Sequence, residues 1–352
     1  MYIVGIGTAC PDQRYTKSDC WKAFVNSPWI ERLDRKARML AERVLLRDNG
    51  IEARRLSVKS LQEVFAIDSA TLHARFLASA PALATDAAKR ALADANILAT
   101  DIDGVIISTC TGYLCPGLSS YVSEALELRA DVQAFDLVGQ GCGAALPNMR
   151  IADALLASGR CTRVLSICVE VCSAAMYLDN DPGVLISACL FGDGAGAVVL
   201  STQPHRNKRR LRWKTALSLI GPSERDALRF EQRDGLLRNV LTVAVPQLAA
   251  KYAQQVLQTV LATEGIDKSD IAGWIWHAGG RDVLAALRER IGLTIEDLAY
   301  SASVLREYGN LSSAFVYFVL EKALKDNARG GRWWLASFGA GFSSHGALLE
   351  VA

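Results

Sequence analysis

Residues 91–109, ALADANILATDIDGVIIST, and residues 260–278, VLATEGIDKSDIAGWIWHA, lie over one another without a gap at a shift of 169 residues. Leu92 meets Leu261, Ala93 meets Ala262, Ile97 meets Ile266, and DIDG meets DIAG. Each copy reads as the end of an amphipathic helix, a turn and a short buried strand. The same shift sets RVLSIC (163–168) on RWWLAS (332–337), strand on strand. Further on, FGDGAGAVVL (191–200) is similar to FGAGFSSHGALL (338–349) at a shift of 147, which leaves about 22 more residues in the first copy, near 170–190. Three segments in order, two at one shift, identify an internal duplication rather than chance likeness between common βα units.

Periodicity predicts helices over 82–96 and 144–157, buried strands over 103–109 and 162–169, and a first strand in MYIVGIGTAC. Short strands alternating with helices of this length give an α/β class with parallel strands and crossovers. Two βαβαβ-type halves are expected, 1–203 and 204–352, with the basic stretch TQPHRNKRRLRWK (202–214) as the connector between them.

The chain has 352 residues, 51% hydrophobic and 22% charged, with a net charge of +2. That composition suits a globular protein with a large core and argues against nucleic-acid or membrane partners. No apolar run approaches the ~20 residues of a membrane span, and the N-terminus lacks the basic lead of a secretory signal. Nine cysteines form no CxxC pair and four histidines are scattered, so no metal site is expected. A cytoplasmic protein with reduced thiols follows.

The duplication also brings chemistry together. In VGQGCGAALPNMRIADALL (138–156) Cys142 sits among glycines just before a predicted helix. The 169 shift sets Gly141 on Asn310 and Ser108 on His277, so Cys142 and Asn310 open equivalent helices and His277 ends a strand. Packed about a pseudo-twofold axis, the three converge near strand ends, where open α/β sheets bind ligands. A cysteine at a helix start favours thiolate, and flanking glycines leave backbone N–H groups free for an oxyanion. Cys, His and Asn suit either amide hydrolysis or acyl transfer with carbon–carbon bond formation. A duplicated α/β layout is wrong for the papain-like case, so condensation is favoured. GDGAG (192–196) lacks the strand and helix order of a dinucleotide site.

These motifs taken in order are GIGTACP, CTGYLCPG (110–117), QGCGAALPNMRIA (140–152), SICVEVCSA (166–174), ACLFGDGAGAVVL (188–200), WIWHAGGRDVL (274–284), EYGNLSSA (307–314) and SFGAGFSSHG (337–346). With them the chain resembles the type III polyketide synthases, the chalcone-synthase-like branch of the thiolase-fold condensing enzymes. The resemblance implies a layered α-β-α-β-α fold and a homodimer. It implies acyl-CoA and malonyl-CoA as substrates, with no bound cofactor. It implies that Cys142 carries the starter and growing chain, that His277 and Asn310 bind the malonyl thioester carbonyl, and that Phe191 is a gatekeeper. It sets Cys110, Thr111, Cys115, Glu170, Cys172, Ala175 and Ser312 around the cavity, Gly339 and Gly341 in its glycine-rich loop, and Arg54 and Arg55 near coenzyme A phosphates.

The chain departs from the plant pattern at Gly143, where plant members carry phenylalanine, and in SFGAG, where Ser337 and Ala340 replace a glycine and a proline. The second gatekeeper falls near RFEQRDGLL (229–237), whose only aromatic is Phe230. Small residues at Ala175 and Gly143 predict a cavity open to long or bulky starters. Two rivals stand beside this reading. One is a ketoacyl synthase III-like enzyme making a single condensation with acyl carrier protein; the other is a non-catalytic acyl-CoA-binding scaffold.

Overall fold

The computed structural model describes residues 1–352. The first half carries β1 (Tyr2–Ala9), then a ribbon of β2 (Arg14–Thr16) and β3 (Ala53–Arg55) that brackets α1 (Lys17–Val25), α2 (Trp29–Arg32) and α3 (Arg35–Leu46). There follow α4 (Ser69–Ala95), β4 (Gly104–Ser108), α5 (Leu118–Leu126), β5 (Gln133–Leu137), α6 (Ala145–Ala157), β6 (Arg163–Glu170), α7 (Pro182–Leu190) and β7 (Gly194–Ser201). The second half carries β8 (Leu211–Ile220), the hairpin β9 (Leu228–Arg233) and β10 (Leu236–Leu241), α8 (Val245–Glu264) and β11 (Ile271–Trp276). It ends with α9 (Arg281–Ile291), α10 (Ala299–Tyr308), α11 (Phe315–Lys325), β12 (Gly331–Gly339) and β13 (Ser343–Val351).

The sheet runs β11-β12-β13-β8-β1-β7-β6-β4-β5. Its two sides repeat one pattern outward from the β8–β1 pair: an antiparallel neighbour, a second antiparallel neighbour, then a parallel one. β8 and β1 touch through only two residue pairs, Tyr2↔Arg212 and Ile3↔Leu211, so two sheets meet along a short seam. Helices α6 and α11 pack against strands of both halves and form the middle layer. Helices α4 and α5 cover one outer face, and α8 the other. The result is the expected layered α-β-α-β-α sandwich.

Equivalent residues close equivalent helices. Asn96 ends α4 and Gly265 ends α8, both in the left-handed region at φ 51° and 63°, and the 169 shift relates them. That conformation at the C-terminal boundary turns the chain sharply toward the next strand. The extra residues of the first half lie between β6 and β7 and contain α7; β12 and β13 are joined by a tight turn.

Three expectations shift. The helix read over 82–96 begins at Ser69, because Asp68 caps it by accepting from Thr71 N–H, and it carries Pro81 inside. The connector is shorter than 202–214: residues 211–214 belong to β8, with Leu211 and Trp213 buried on one face. The second half has no counterpart of β5, since α10 occupies that place.

Candidate active site

The C-terminal ends of the parallel strands β4, β6, β11 and β12 point toward the turns that open α6 and α11. Cys142 occupies a single 3₁₀ turn, Gly141–Gly143, just before α6, and Gly141 adopts φ +56° to make it. Asn310 lies before the matching 3₁₀ turn, Ser312–Ala314, that opens α11. His277 continues β11 for one residue, its backbone N–H donating to Ala336 O at 2.9 Å.

Ser312 joins these parts. Its Oγ donates to Cys142 Sγ at 3.2 Å and lies 3.3 Å from Glu170 Oε1. Its φ of +50° is uncommon for a residue with a side chain. Asn310 holds it there, accepting the Ser312 N–H on Oδ1 at 2.9 Å. The Asn310 amide nitrogen donates to Gly279 O at 3.2 Å, two residues beyond His277. The Asn310 backbone bridges that of Phe191: Asn310 N–H donates to Leu190 O at 2.9 Å, and Gly192 N–H to Asn310 O at 3.0 Å. Cys142, Ser312, Asn310 and Phe191 are thus one connected group, with His277 tied to it through Gly279; no hydrogen bond joins Cys142 directly to His277.

His277 is 1% exposed, with Phe315 and Phe338 edge-on at 5.3 and 5.2 Å. Its Nδ1 has no partner. Burial pushes its pKa down to about 3, so the imidazole is neutral near pH 7. Burial pushes the Cys142 thiol up to about 12, Glu170 adds to the rise, and the Ser312 hydroxyl opposes it. The expected thiolate-favouring effect of a helix start is therefore outweighed by desolvation, because the sulfur sits in the preceding turn inside the protein.

Glu170 is fully buried at the end of β6. It accepts from Ser313 Oγ at 2.5 Å, Thr111 Oγ1 at 3.0 Å and Cys110 N–H at 3.1 Å. Cys110, Thr111, Cys172, Ala175, Phe191 and Ser312 line one narrow cavity of about 40 Å³ with Cys142, while Glu170 lies sealed behind it. Phe230 and Asn239, paired across the β9–β10 hairpin, form the facing wall; Asn239 carried no signal in the sequence. An outer chamber of about 600 Å³ adjoins the cavity and shares Cys110, Thr111 and Phe230 with it; Gly341 lines this chamber. Gly339 packs against the backbone of Gly143.

Four expectations are corrected. Arg54 does not reach a phosphate: it is buried, donating to Ala188 O at 2.7 Å and Phe191 O at 3.0 Å, because β3 turns it inward. Arg55 donates to Pro11 O and Asp12 O and lies over the Tyr308 ring. Cys115 is exposed on the loop before Pro116, outside the cavity. Gly143 gives the cavity no room, since a Cβ there would meet His345 Cδ2 at 3.0 Å on β13.

The sequence also concealed a groove of about 630 Å³ between α3 and α9, rimmed by Arg43, Arg47 and Arg281. Its floor includes Leu190 and Gly279, whose carbonyls accept from Asn310. Arg43 in the last turn of α3 and Arg47 just past its end were the available signal.

A cysteine in a glycine turn, a neutral imidazole and a carboxamide, gathered at the strand ends of a duplicated five-layer α/β sandwich, define the class of thiolase-fold condensing enzymes. Residues 17–223 match the family model of FAE1/type III polyketide synthase-like proteins, and residues 216–350 match the C-terminal domain of chalcone and stilbene synthases. The chain is 32% identical to the 1,3,6,8-tetrahydroxynaphthalene synthase of Streptomyces peucetius subsp. caesius, over 99% of this chain and 92% of the relative. It is 28% identical to the 3,5-dihydroxyphenylacetyl-CoA synthase of Streptomyces toyocaensis, over 99% and 89%. In fold it is similar to PKS-I of the brown alga Ectocarpus siliculosus, with a TM-score of 0.90, 24% identity and coverage of 99% and 98%. It is also similar to the tetrahydroxynaphthalene synthase of Streptomyces coelicolor, with a TM-score of 0.87, 23% identity and coverage of 99% of each chain. The chain belongs to the type III polyketide synthases, and it is an acyltransferase.

Proposed function

We propose that Cys142 is the nucleophile of this synthase and that the basic-rimmed groove delivers coenzyme A thioesters to it. The Cys142 sulfur attacks the starter's thioester carbonyl, the carbonyl's bond to the coenzyme A sulfur breaks, the Cys142 thiol proton ends on that departing sulfur, and an acyl-Cys142 thioester forms. Malonyl-CoA then loses carbon dioxide with its carbonyl held by His277 and the Asn310 amide. The resulting enolate carbon attacks acyl-Cys142, a carbon–carbon bond forms, and the Cys142 sulfur is released to accept the lengthened chain. A neutral imidazole and a carboxamide are hydrogen-bond donors that need no titration, and one such donor contributes ~2.7 to 4 kcal/mol at an oxyanion.

The observation that carries this reading is that the groove floor and the Asn310 clamp are the same residues, Leu190 and Gly279. Arg43, Arg47 and Arg281 suit nucleotide phosphates at the mouth. The outer chamber takes the lengthening chain before it cyclises. We further propose that the two halves divide at 1–203 and 204–352, and that the protein works in the cytoplasm as a homodimer. The edge strand β5, which carries exposed Phe135 and is followed by exposed Val138, supports pairing of two copies. No helix is long and apolar enough to cross a membrane.

Incubation with radiolabelled malonyl-CoA and a series of acyl-CoA starters, without carrier protein, tests the proposal. Products carrying several labelled extensions are expected. A single extension that demands acyl carrier protein would overturn it.

A further inference from the structure

Helix α7 and strand β10 form a partition with two working faces. Val184, Ser187 and Phe191 line the cavity at Cys142, whereas Pro182, Gly183 and Leu190 line the basic groove. Strand β10 does the same, with Asn239 on the cavity and Leu241 on the groove. The two elements are pressed together: a Cβ on Gly183 would fall 2.0 Å from Leu241 O, and Asn239 Nδ2 donates to Ser187 Oγ at 2.9 Å.

One guanidinium pins them. Arg238 of β10, its side chain 9% exposed, donates from Nε to Asp179 Oδ2 at 2.8 Å and from Nη1 to Glu231 Oε1 at 2.7 Å, and its Nη2 lies 3.3 Å from Asp181 Oδ2. Asp181 caps α7, accepting from Gly183 and Val184 N–H, and Phe191 ends that helix. Glu231 follows Phe230 on β9, and Arg238 precedes Asn239. The two aromatic walls of the cavity therefore hang from elements fixed by one side chain. Exposed ion pairs contribute little, but this guanidinium is 9% exposed and holds three carboxylates that are 24%, 39% and 34% exposed. Without it those carboxylates repel one another across the partition itself.

We infer that Arg238 is a positioning residue that sets the width of the passage between groove and cavity, and so how long a growing chain is retained beside Cys142. The second half of this statement rests on the synthase reading; the first does not.

The test measures modification of the Cys142 peptide by mass spectrometry in the full-length protein, using N-ethylmaleimide and a bulky pyrene maleimide. In Arg238→Met the bulky-to-small rate ratio is expected to rise about tenfold, less than loss of one partner from a fully buried charge network would give, because the three carboxylates are 24–39% exposed. Asp181→Asn keeps the cap but weakens the pin and is expected to raise the ratio less. Arg238→Lys restores the charge without the fork and falls between wild type and Arg238→Met. With malonyl-CoA, the same order is expected for a shift toward products with fewer extensions. An unchanged ratio in Arg238→Met overturns the inference. So does an equal rise in Leu257→Ala, which loosens α8 elsewhere in the core. If Arg238→Met does not fold, an unchanged ratio in Asp181→Asn overturns it. Absence of polyketide from every variant, with the ratio still rising, would defeat the synthase reading alone.

Discussion

Two buried imidazoles make stability fall with acid, and the size follows from their burial. His277 is 1% exposed and His345 3% exposed, and burial pushes their pKa values down to about 3 and about 4. Arg150, which donates to the same Ser218 hydroxyl that His345 Nδ1 meets, adds to the fall at His345. The unfolded chain titrates each histidine near ~6.5. Below that pH the unfolded state binds protons that the native state refuses, so native stability declines as pH drops from 6.5 toward 4. At pH 5 each buried histidine costs about 2 kcal/mol relative to pH 7, about 4 kcal/mol together. Glu170 and Asp193, raised by burial, titrate in the opposite sense. Comparison with a histidine variant cancels them. Urea unfolding at pH 7, 6 and 5, at fixed protein concentration, is expected to show the wild-type decline. His345→Gln, which keeps a polar group for Ser218, is expected to lose about 2 kcal/mol less over that interval. If His345→Gln falls as steeply as wild type, the imidazole is not held neutral and the reasoning fails.

Gly143→Ala is expected to destabilise by about 1–3 kcal/mol through overpacking against His345. Combining it with His345→Ala should cost less than the two single changes together, a coupling that thermal unfolding measures. Asn310→Ala should lower condensation about 10²- to 10³-fold while Cys142 still accepts a starter, which single-turnover assays of loading and extension separate. Ser312→Ala removes the hydroxyl that holds the Cys142 pKa down. Its midpoint for iodoacetamide modification should therefore move to higher pH, and a midpoint that stays put would discount the bond.

The duplication was legible because equal helix and strand lengths keep one register over several elements; Asn96 and Gly265 even share a backbone conformation. The placement of Cys142 and Asn310 at the matching turns that open α6 and α11, with His277 just past the end of β11, followed from that register. Arg54 misled because ARRLS reads as surface, yet β3 faces it into a cage of carbonyls. The boundary of β8 hid under a run of charge, although Leu211 and Trp213 alternate with Arg212 and Lys214 in strand fashion. Ser312 as the hub and Arg238 as the pin depend on residues distant in sequence, which no local pattern encodes. The groove at Arg43 and Arg47 exists only once α3 meets α9.

The most direct measurement is peptide mass spectrometry after brief exposure to an acyl-CoA with malonyl-CoA withheld. One acyl group on Cys142, absent from Cys142→Ala, is the expected result. An acyl group carried by Cys110 or Cys172 instead, or by no cysteine, would contradict the assignment of the nucleophile on which the carbon-joining chemistry rests.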